Sequence, residues 1–210
     1  MTLTRLDALD AAELQTDPFD YIVVPDFLPP DKLQLVNADY PQISSAANHE
    51  LGDLHYGRRF EEFLQELQTD AFKVHLGSKF NVDLSQNPTT ITVRKYCERT
   101  DGNIHTDHAS KIITVLVYFN EEWGSEGVGG CLRMLRSSSD IEDYVAEVKP
   151  LGGTLLAFRR TDHSWHGHKQ FVGERRMLQY NFLSNAMLAR ISQKVSRAST
   201  HFGKRVLGLR

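Results

Sequence analysis

Ile112-Ile113-Thr114-Val115-Leu116-Val117-Tyr118-Phe119 is a run of β-branched, aliphatic and aromatic residues, and such a run reads as a strand. It has neighbours of the same kind on both sides. Thr90-Ile91-Thr92-Val93 precedes it; Gly130 to Leu135, Ala146 to Val148, Gly153 to Phe158 and Arg175 to Leu183 follow. Turn residues separate these runs, at Asp101-Gly102-Asn103, Gly124 to Gly130 and Pro150-Leu151-Gly152-Gly153. Short strands punctuated this often belong to a sandwich or barrel, and the pattern predicts a jelly roll.

Upstream of Thr89 the reading is different. Asp7 to Leu14 is a short helix candidate, and Pro29-Pro30-Asp31 reads as a helix start followed by apolar Leu33, Leu35 and Val36. Tyr21 to Val24 is strand-like. Phe60, Phe63, Leu64, Leu67, Ala71 and Phe72 recur at helical spacing, which predicts one amphipathic helix from about Arg59 to Phe80. Gln42 to Arg58 is polar and aperiodic and reads as a surface loop. The fold class expected is therefore α+β and β-rich, in a single domain. Residues 1–88 form a mainly helical support, 89–185 the jelly-roll body, and 186–210 a basic C-terminal helix or tail.

Composition narrows the function classes. The chain has 210 residues, with 24 Lys and Arg against 27 Asp and Glu, a formal charge of −3, so no global attraction to nucleic acid is expected. No apolar run approaches the roughly 18 residues of a membrane span. The opening MTLTRLDALDAAELQTD lacks the apolar stretch of a secretory signal, so a cytoplasmic protein is expected. Cys97 and Cys131 cannot by themselves build a disulfide framework or a thiolate zinc site; they read as small hydrophobes in strands.

Chemistry concentrates in two segments. In Asn103-Ile104-His105-Thr106-Asp107-His108, an extended backbone sends His105 and Asp107 to the same face, where they can share one metal ion. A second imidazole from a neighbouring strand completes a two-histidine, one-carboxylate facial triad with open positions, a donor set suited to Fe(II) and oxygen chemistry. Such an imidazole is available in Asp162-His163-Ser164-Trp165-His166-Gly167-His168. Taken alone, the His-x-Asp triplet reads equally as a solvated turn. His108 falls on the opposite face from His105; His49, His55, His75 and His201 show no ligand spacing.

The strand Arg175 to Leu183 divides by parity. Arg176, Leu178, Tyr180 and Phe182 make an apolar face that would pack under helices. Arg175, Met177, Gln179 and Asn181 make a face polar enough to line a wet cavity. An arginine inside a barrel needs an anion, and a ligand carboxylate bound by both its oxygens is one solution. An acidic side chain or solvent is the other.

In order and spacing, these pieces resemble the Fe(II)/2-oxoglutarate-dependent dioxygenases, in the prolyl 4-hydroxylase-like branch with its bacterial members, over roughly residues 90–183. Tyr96 lies nine residues before His105. Tyr118-Phe119-Asn120 stands where the family has Tyr-Leu-Asn, followed by Trp123, Gly129-Gly130 and the strand Cys131-Leu132-Arg133-Met134. Phe158 precedes His166 by eight residues, and Arg175 and Arg176 follow it at nine and ten. One departure is Gln170, where relatives usually place proline.

The resemblance implies a double-stranded β-helix, the cupin-like jelly roll, with N-terminal helices bracing the sheet. It implies Fe(II) held by His105, Asp107 and His166, and 2-oxoglutarate bound through its distal carboxylate to Arg175, with the Tyr118 hydroxyl as a second donor and Tyr96 bordering the cosubstrate. Parity and offset favour Arg175 over Arg176. O2 is the oxidant, ascorbate is a further candidate cofactor, and succinate and CO2 are released as an unactivated C–H is hydroxylated. The carboxylate of Asp107 implies hydroxylation, since the related halogenases carry a small residue there. His163 and His168 are expected beside the metal ligands, not among them.

The resemblance leaves the substrate open between a peptidyl proline and a small polar metabolite. Its walls are expected in Gln42 to Arg58, Glu98 to Ile104 and Glu121 to Gly127, with Arg58, Arg59, Arg99, Glu121 and Glu122 among their charged residues. The other classes of reading are a non-catalytic cupin-like metal-binding module and a partner-binding protein using the tail, where Arg190, Lys194, Arg197, Lys204, Arg205 and Arg210 meet no acidic residue.

Overall fold

The protein was analysed as a computed structural model, which describes residues 2–124 and 129–184. The basic segment 186–210 lies outside the described residues. Helix α1 (Leu6–Ala11), strand β1 (Tyr21–Val24) and helix α2 (Pro30–Ala38) open the chain. A two-residue strand β2 (His49–Glu50) runs into a single 3-10 turn (Leu51–Asp53), and helices α3 (Arg58–Leu67) and α4 (Asp70–Lys79) follow. Seven strands come next: β3 (Thr89–Cys97), β4 (Lys111–Tyr118), β5 (Leu132–Leu135), β6 (Tyr144–Val148), β7 (Leu155–Arg159), β8 (His166–Gly167) and β9 (Gly173–Leu183).

These strands make two sheets. The larger has the order β1-β7-β4-β9-β3-β2 and the smaller β6-β5-β8, with every named pair antiparallel. β4 and β9, neighbours in the middle of the larger sheet, set the layering through their alternation. Val115, Val117, Leu178, Tyr180 and Phe182 face a core shared with the helices, including Phe60, Phe63, Phe72 and Leu76. Leu116, Tyr118 and Met177 face the opposite way, into a second core closed by Leu132, Met134 and Val148 of the smaller sheet. The period of two thus sorts one strand between helix-facing and sheet-facing layers. The expected apolar and polar faces of Arg175 to Leu183 are the two faces found.

Three local expectations are corrected. The helix expected over 59–80 is two helices. Thr69 takes an extended conformation and its Oγ1 accepts a hydrogen bond from Phe72 N at 3.2 Å, so Thr69 starts a new helix where the periodicity showed none. The apolar positions of both helices still reach the same core. The loop expected over 42–58 contributes strand β2, whose His49 and Glu50 pair with Val93 and Thr92 at the edge of the sheet. Strand β8 was not foreseen; two residues carry no readable periodicity. Among the described residues no helix is long and apolar enough to cross a membrane.

Leu178 is fully buried under the helices. Leu178→Ala is expected to cost about 2–5 kcal/mol in chemical denaturation, the range for deleting a buried leucine side chain. Gln179→Ala, whose side chain faces the cavity, is expected to cost less than 1 kcal/mol. Equal costs would mean that the two faces of β9 are misassigned.

Candidate metal and dicarboxylate site

His105 and His166 meet through the backbone before their side chains meet. His105 N donates to His166 O and His166 N to His105 O, each at 3.0 Å, an isolated antiparallel bridge. His166 is held from the other side by β5, opposite Met134. The segment preceding β4 is thereby tied to the smaller sheet at the mouth of the roll. The two imidazoles lie with centroids 4.4 Å apart, and Phe158 packs its ring 4.7 Å from that of His166. Asp107 follows two residues after His105 and is buried. One ligand atom from each of His105, Asp107 and His166 falls within 4.8 Å of the other two, a spacing that admits one metal ion.

Each donor is oriented by a fixed partner. His105 Nδ1 lies 2.8 Å from Asn103 O and His166 Nδ1 lies 2.9 Å from Ser164 O. A carbonyl only accepts, so both Nδ1 atoms carry the proton and both Nε2 lone pairs are free for a metal. Burial pushes the His166 imidazole down to about 4, with His105 adding to the effect, which keeps it neutral. On Asp107, Oδ1 accepts from Lys111 Nζ at 2.7 Å and Oδ2 from Thr114 Oγ1 at 2.5 Å. Burial pushes that carboxyl up, but Lys111, His166 and Thr114 outweigh it and hold it below its ordinary value. Two imidazoles with free Nε2 atoms and one carboxylate, with open space in front, fit a divalent iron centre.

The triad opens into a cavity of about 230 Å³ whose apolar floor is Leu116, Leu132, Phe158 and Met177. Arg175 lies in its wall, 3% exposed. Its Nε donates to Gly130 O at 2.8 Å and Nη1 to the weak acceptor Met177 Sδ at 2.9 Å. Among the described residues no carboxylate pairs with it. The Tyr118 hydroxyl is fully buried and makes no hydrogen bond of good geometry, and the Arg175 guanidinium stands 5.3 Å from the centre of its ring. A buried cation without a counter-ion next to an unpaired hydroxyl is costly unless an anion completes it, and a carboxylate suits both. Arg176, by contrast, pairs with Glu174 and lies over the Tyr40 ring, 5.6 Å from its centre.

The structure brings His105, Asp107, His166 and Arg175 to one cavity, with the Tyr118 hydroxyl buried beside Arg175. Tyr96 it does not bring: the register between β3 and β9 slips between Arg94 and Tyr96, Tyr96 stands opposite Glu174, and it is not among the residues lining the cavity. Arg94 lines it instead, paired with Asp101 at 3.0 Å, and its Nε is buried without a partner. Sequence reading passed over Arg94, Lys111 and Thr114. The parity of β4, with Thr114 two and four residues ahead of Leu116 and Tyr118, was a usable signal for Thr114.

His163 and His108 are exposed and stand apart from the triad. His168 is buried in the cavity wall; burial, reinforced by Arg175, pushes its imidazole down to about 4. Gly102 packs against its ring so closely that a Cβ there would lie 2.4 Å from His168 Nδ1. Of the three expected walls, 42–58 contributes Asn48 and 98–104 contributes Asp101 and Gly102. Gln170 ties the second to the rim, its Nε2 donating to Arg99 O at 2.9 Å.

The chain matches no curated protein sequence. A family model described as the 2OG-Fe(II) oxygenase superfamily matches residues 91–183. Among solved structures, a prolyl-4-hydroxylase from Pseudomonas putida superposes with a TM-score of 0.56 at 17% identity, covering 86% of this chain and 91% of that one. An oxidoreductase of the 2OG-Fe(II) oxygenase family from Burkholderia pseudomallei gives a TM-score of 0.53 at 12% identity, over 87% and 91%. A prolyl hydroxylase from Trichoplax adhaerens, in complex with a hypoxia inducible factor oxygen degradation domain peptide fragment, gives 0.54 at 16%, over 85% and 88%. At these identities the likeness is one of fold, and the fold shared is the double-stranded β-helix.

Tyr118→Phe removes the orphaned hydroxyl. The ligand-free variant is expected to be as stable as the wild type, or more stable by up to about 1 kcal/mol, because a buried unsatisfied donor is deleted. A loss of stability in denaturant melts would show that the hydroxyl has a partner.

Proposed function

We propose, from the match of residues 91–183 to the 2OG-Fe(II) oxygenase superfamily, that this chain is such an oxygenase and hydroxylates an unactivated C–H bond at the cavity below His105, Asp107 and His166. The family uses Fe(II), 2-oxoglutarate and O2. With those bound, 2-oxoglutarate is decarboxylated to succinate and CO2, one atom of O2 enters the succinate, and the other becomes the substrate hydroxyl. The observation that carries the reading is the convergence of three ligand atoms within 4.8 Å, two of them imidazole nitrogens freed by backbone-bound Nδ1–H groups.

The rest of the chain's work is binding, orientation and exclusion of water. His105, Asp107 and His166 would hold the metal on one side. Arg175 would take the distal carboxylate of 2-oxoglutarate on its unpaired N–H groups, with the Tyr118 hydroxyl donating beside it. Leu116, Leu132, Phe158 and Met177 keep the intervening space apolar, which strengthens the charged contacts at either end. The substrate we assign to the peptidyl-proline or small polar metabolite class. The Trichoplax adhaerens protein is seen with a peptide fragment, and Arg94, Asp101 and His168 give this rim polar groups for either. A non-catalytic metal-binding module is less well supported, because it gives Arg175 and Tyr118 no anion to bind.

Two measurements test this. Purified protein with Fe(II) should convert 2-oxoglutarate to succinate, and Asp107→Ala should abolish that conversion while keeping the circular dichroism of the fold; wild-type turnover in the variant would mean that the triad is misassigned. Arg175→Gln should weaken 2-oxoglutarate binding in calorimetry by roughly 10- to 100-fold, the loss of a charge-assisted hydrogen-bond pair. Arg176→Gln should change it less than threefold. The reverse order would assign the cosubstrate to the wrong arginine.

A further inference from the structure

Lys111 brings a charge to the site as well as a hydrogen bond: its ammonium is 2.7 Å from Asp107, and its side chain is 15% exposed. The backbone delivers it there by a bulge. Ile113 pairs with Phe182 and Thr114 with Asn181, so regular pairing would set Ile112 opposite Leu183; Lys111 stands there instead. One extra residue in β4 therefore turns Lys111 to the face that carries Thr114 and Leu116, the interior face. Without the bulge, alternation would send Lys111 to the helix side with Ile113 and Val115.

We infer that Lys111 sets the charge of the metal site. Metal binding requires both histidines neutral and Asp107 ionised, a donor set of charge −1. Lys111 contributes +1 at hydrogen-bond distance from one of those donors, and the set becomes electrically neutral. A fixed cation beside a donor opposes the approach of a divalent ion and opposes a trivalent one more, and it does so strongly where water is excluded. The lysine therefore holds iron less tightly than a bare two-histidine, one-carboxylate set would, and favours the ferrous over the ferric state. Thr114 orients the same carboxylate without charge, through its 2.5 Å hydrogen bond. Orientation and charge are thus supplied by different residues and can be separated. The inference rests on reading the triad as the metal site.

The test is the sign of a change in affinity. Mn(II) binding to the purified full chain is followed by calorimetry and by electron paramagnetic resonance of the free ion. Lys111→Met is expected to bind Mn(II) tenfold or more tightly than wild type, and Lys111→Arg, which keeps the charge, within threefold of it. With iron bound, the Fe(III)/Fe(II) midpoint of Lys111→Met is expected to move to lower potential. Thr114→Val, which removes a neutral donor, should bind Mn(II) no more tightly than wild type. A purely structural lysine predicts the opposite sign, weaker binding in Lys111→Met, and that result or an unchanged affinity would overturn the inference. Lys111→Gln repeats the measurement if Lys111→Met does not fold; should both neutral variants unfold while Lys111→Arg folds, the lysine is a structural cation and the inference fails. Absence of Mn(II) binding in the wild type would reject the metal site itself.

Discussion

The reciprocal backbone hydrogen bonds between His105 and His166 are the constraint on which the site depends. The two apolar clusters lie on opposite sides of the larger sheet, and the one away from the helices is shared with the smaller sheet. Nothing in either core requires the segment before β4 to approach β8. The bridge does, and because the two bridged residues are themselves histidines, closing the mouth of the roll and bringing two ring nitrogens together are one event. Each ring is then fixed by a carbonyl two residues away along its own chain, Asn103 for one and Ser164 for the other. Such local partners survive small shifts between the sheets, so the direction of each lone pair is set by backbone geometry and not by distant packing.

From that junction inward the cavity is electrostatically unfinished. Asp107 is bonded on both oxygens and Arg94 has Asp101, while Arg175 has a carbonyl and a thioether and the Tyr118 hydroxyl has nothing. Polar groups left this way inside a protein lower its stability. Their position explains why they are tolerated: Arg175 lines the cavity onto which the triad opens, so a ligand anion can complete it and the hydroxyl beside it. The same arrangement explains why Arg175 and Arg176, adjacent in sequence, differ so much. One is 3% exposed and lacks an anion; the other meets Glu174 at the surface and needs none.

Much of this was legible in the sequence because it rests on period-two alternation and on short spacing. The assignment of Met177, Gln179 and Arg175 to one face and Leu178, Tyr180 and Phe182 to the other needed only the strand, as did the shared side of His105 and Asp107. Long-range pairing was harder to read. That His166 meets His105 follows from β5 and β8, and β8 is too short to announce itself. The split of the 59–80 helix at Thr69 was hidden for a different reason: a capping threonine between two amphipathic segments leaves the apolar spacing intact, so the period stays helical across a break in the helix.

The remaining mismatches share one cause, a change of register within a strand. In β9 two residues, Arg175 and Arg176, stand where one would match Lys95 on β3, and beyond that slip Tyr96 lies opposite Glu174 instead of against the cavity. In β4 the extra residue Ile112 brings Lys111 inward. Counting along the sequence reveals neither slip, because a bulge adds one residue to a strand and shifts its pairing with its neighbour. Each slip falls beside the cavity, one at Arg175 and one close to Asp107. A regular ladder can offer a cavity only every second side chain of a strand. By breaking the count at its margins, this sheet places a lysine against Asp107 while keeping Thr114, Leu116 and Tyr118 in their ordinary alternation. The charge of the site is adjusted without disturbing the floor on which the ligands would rest.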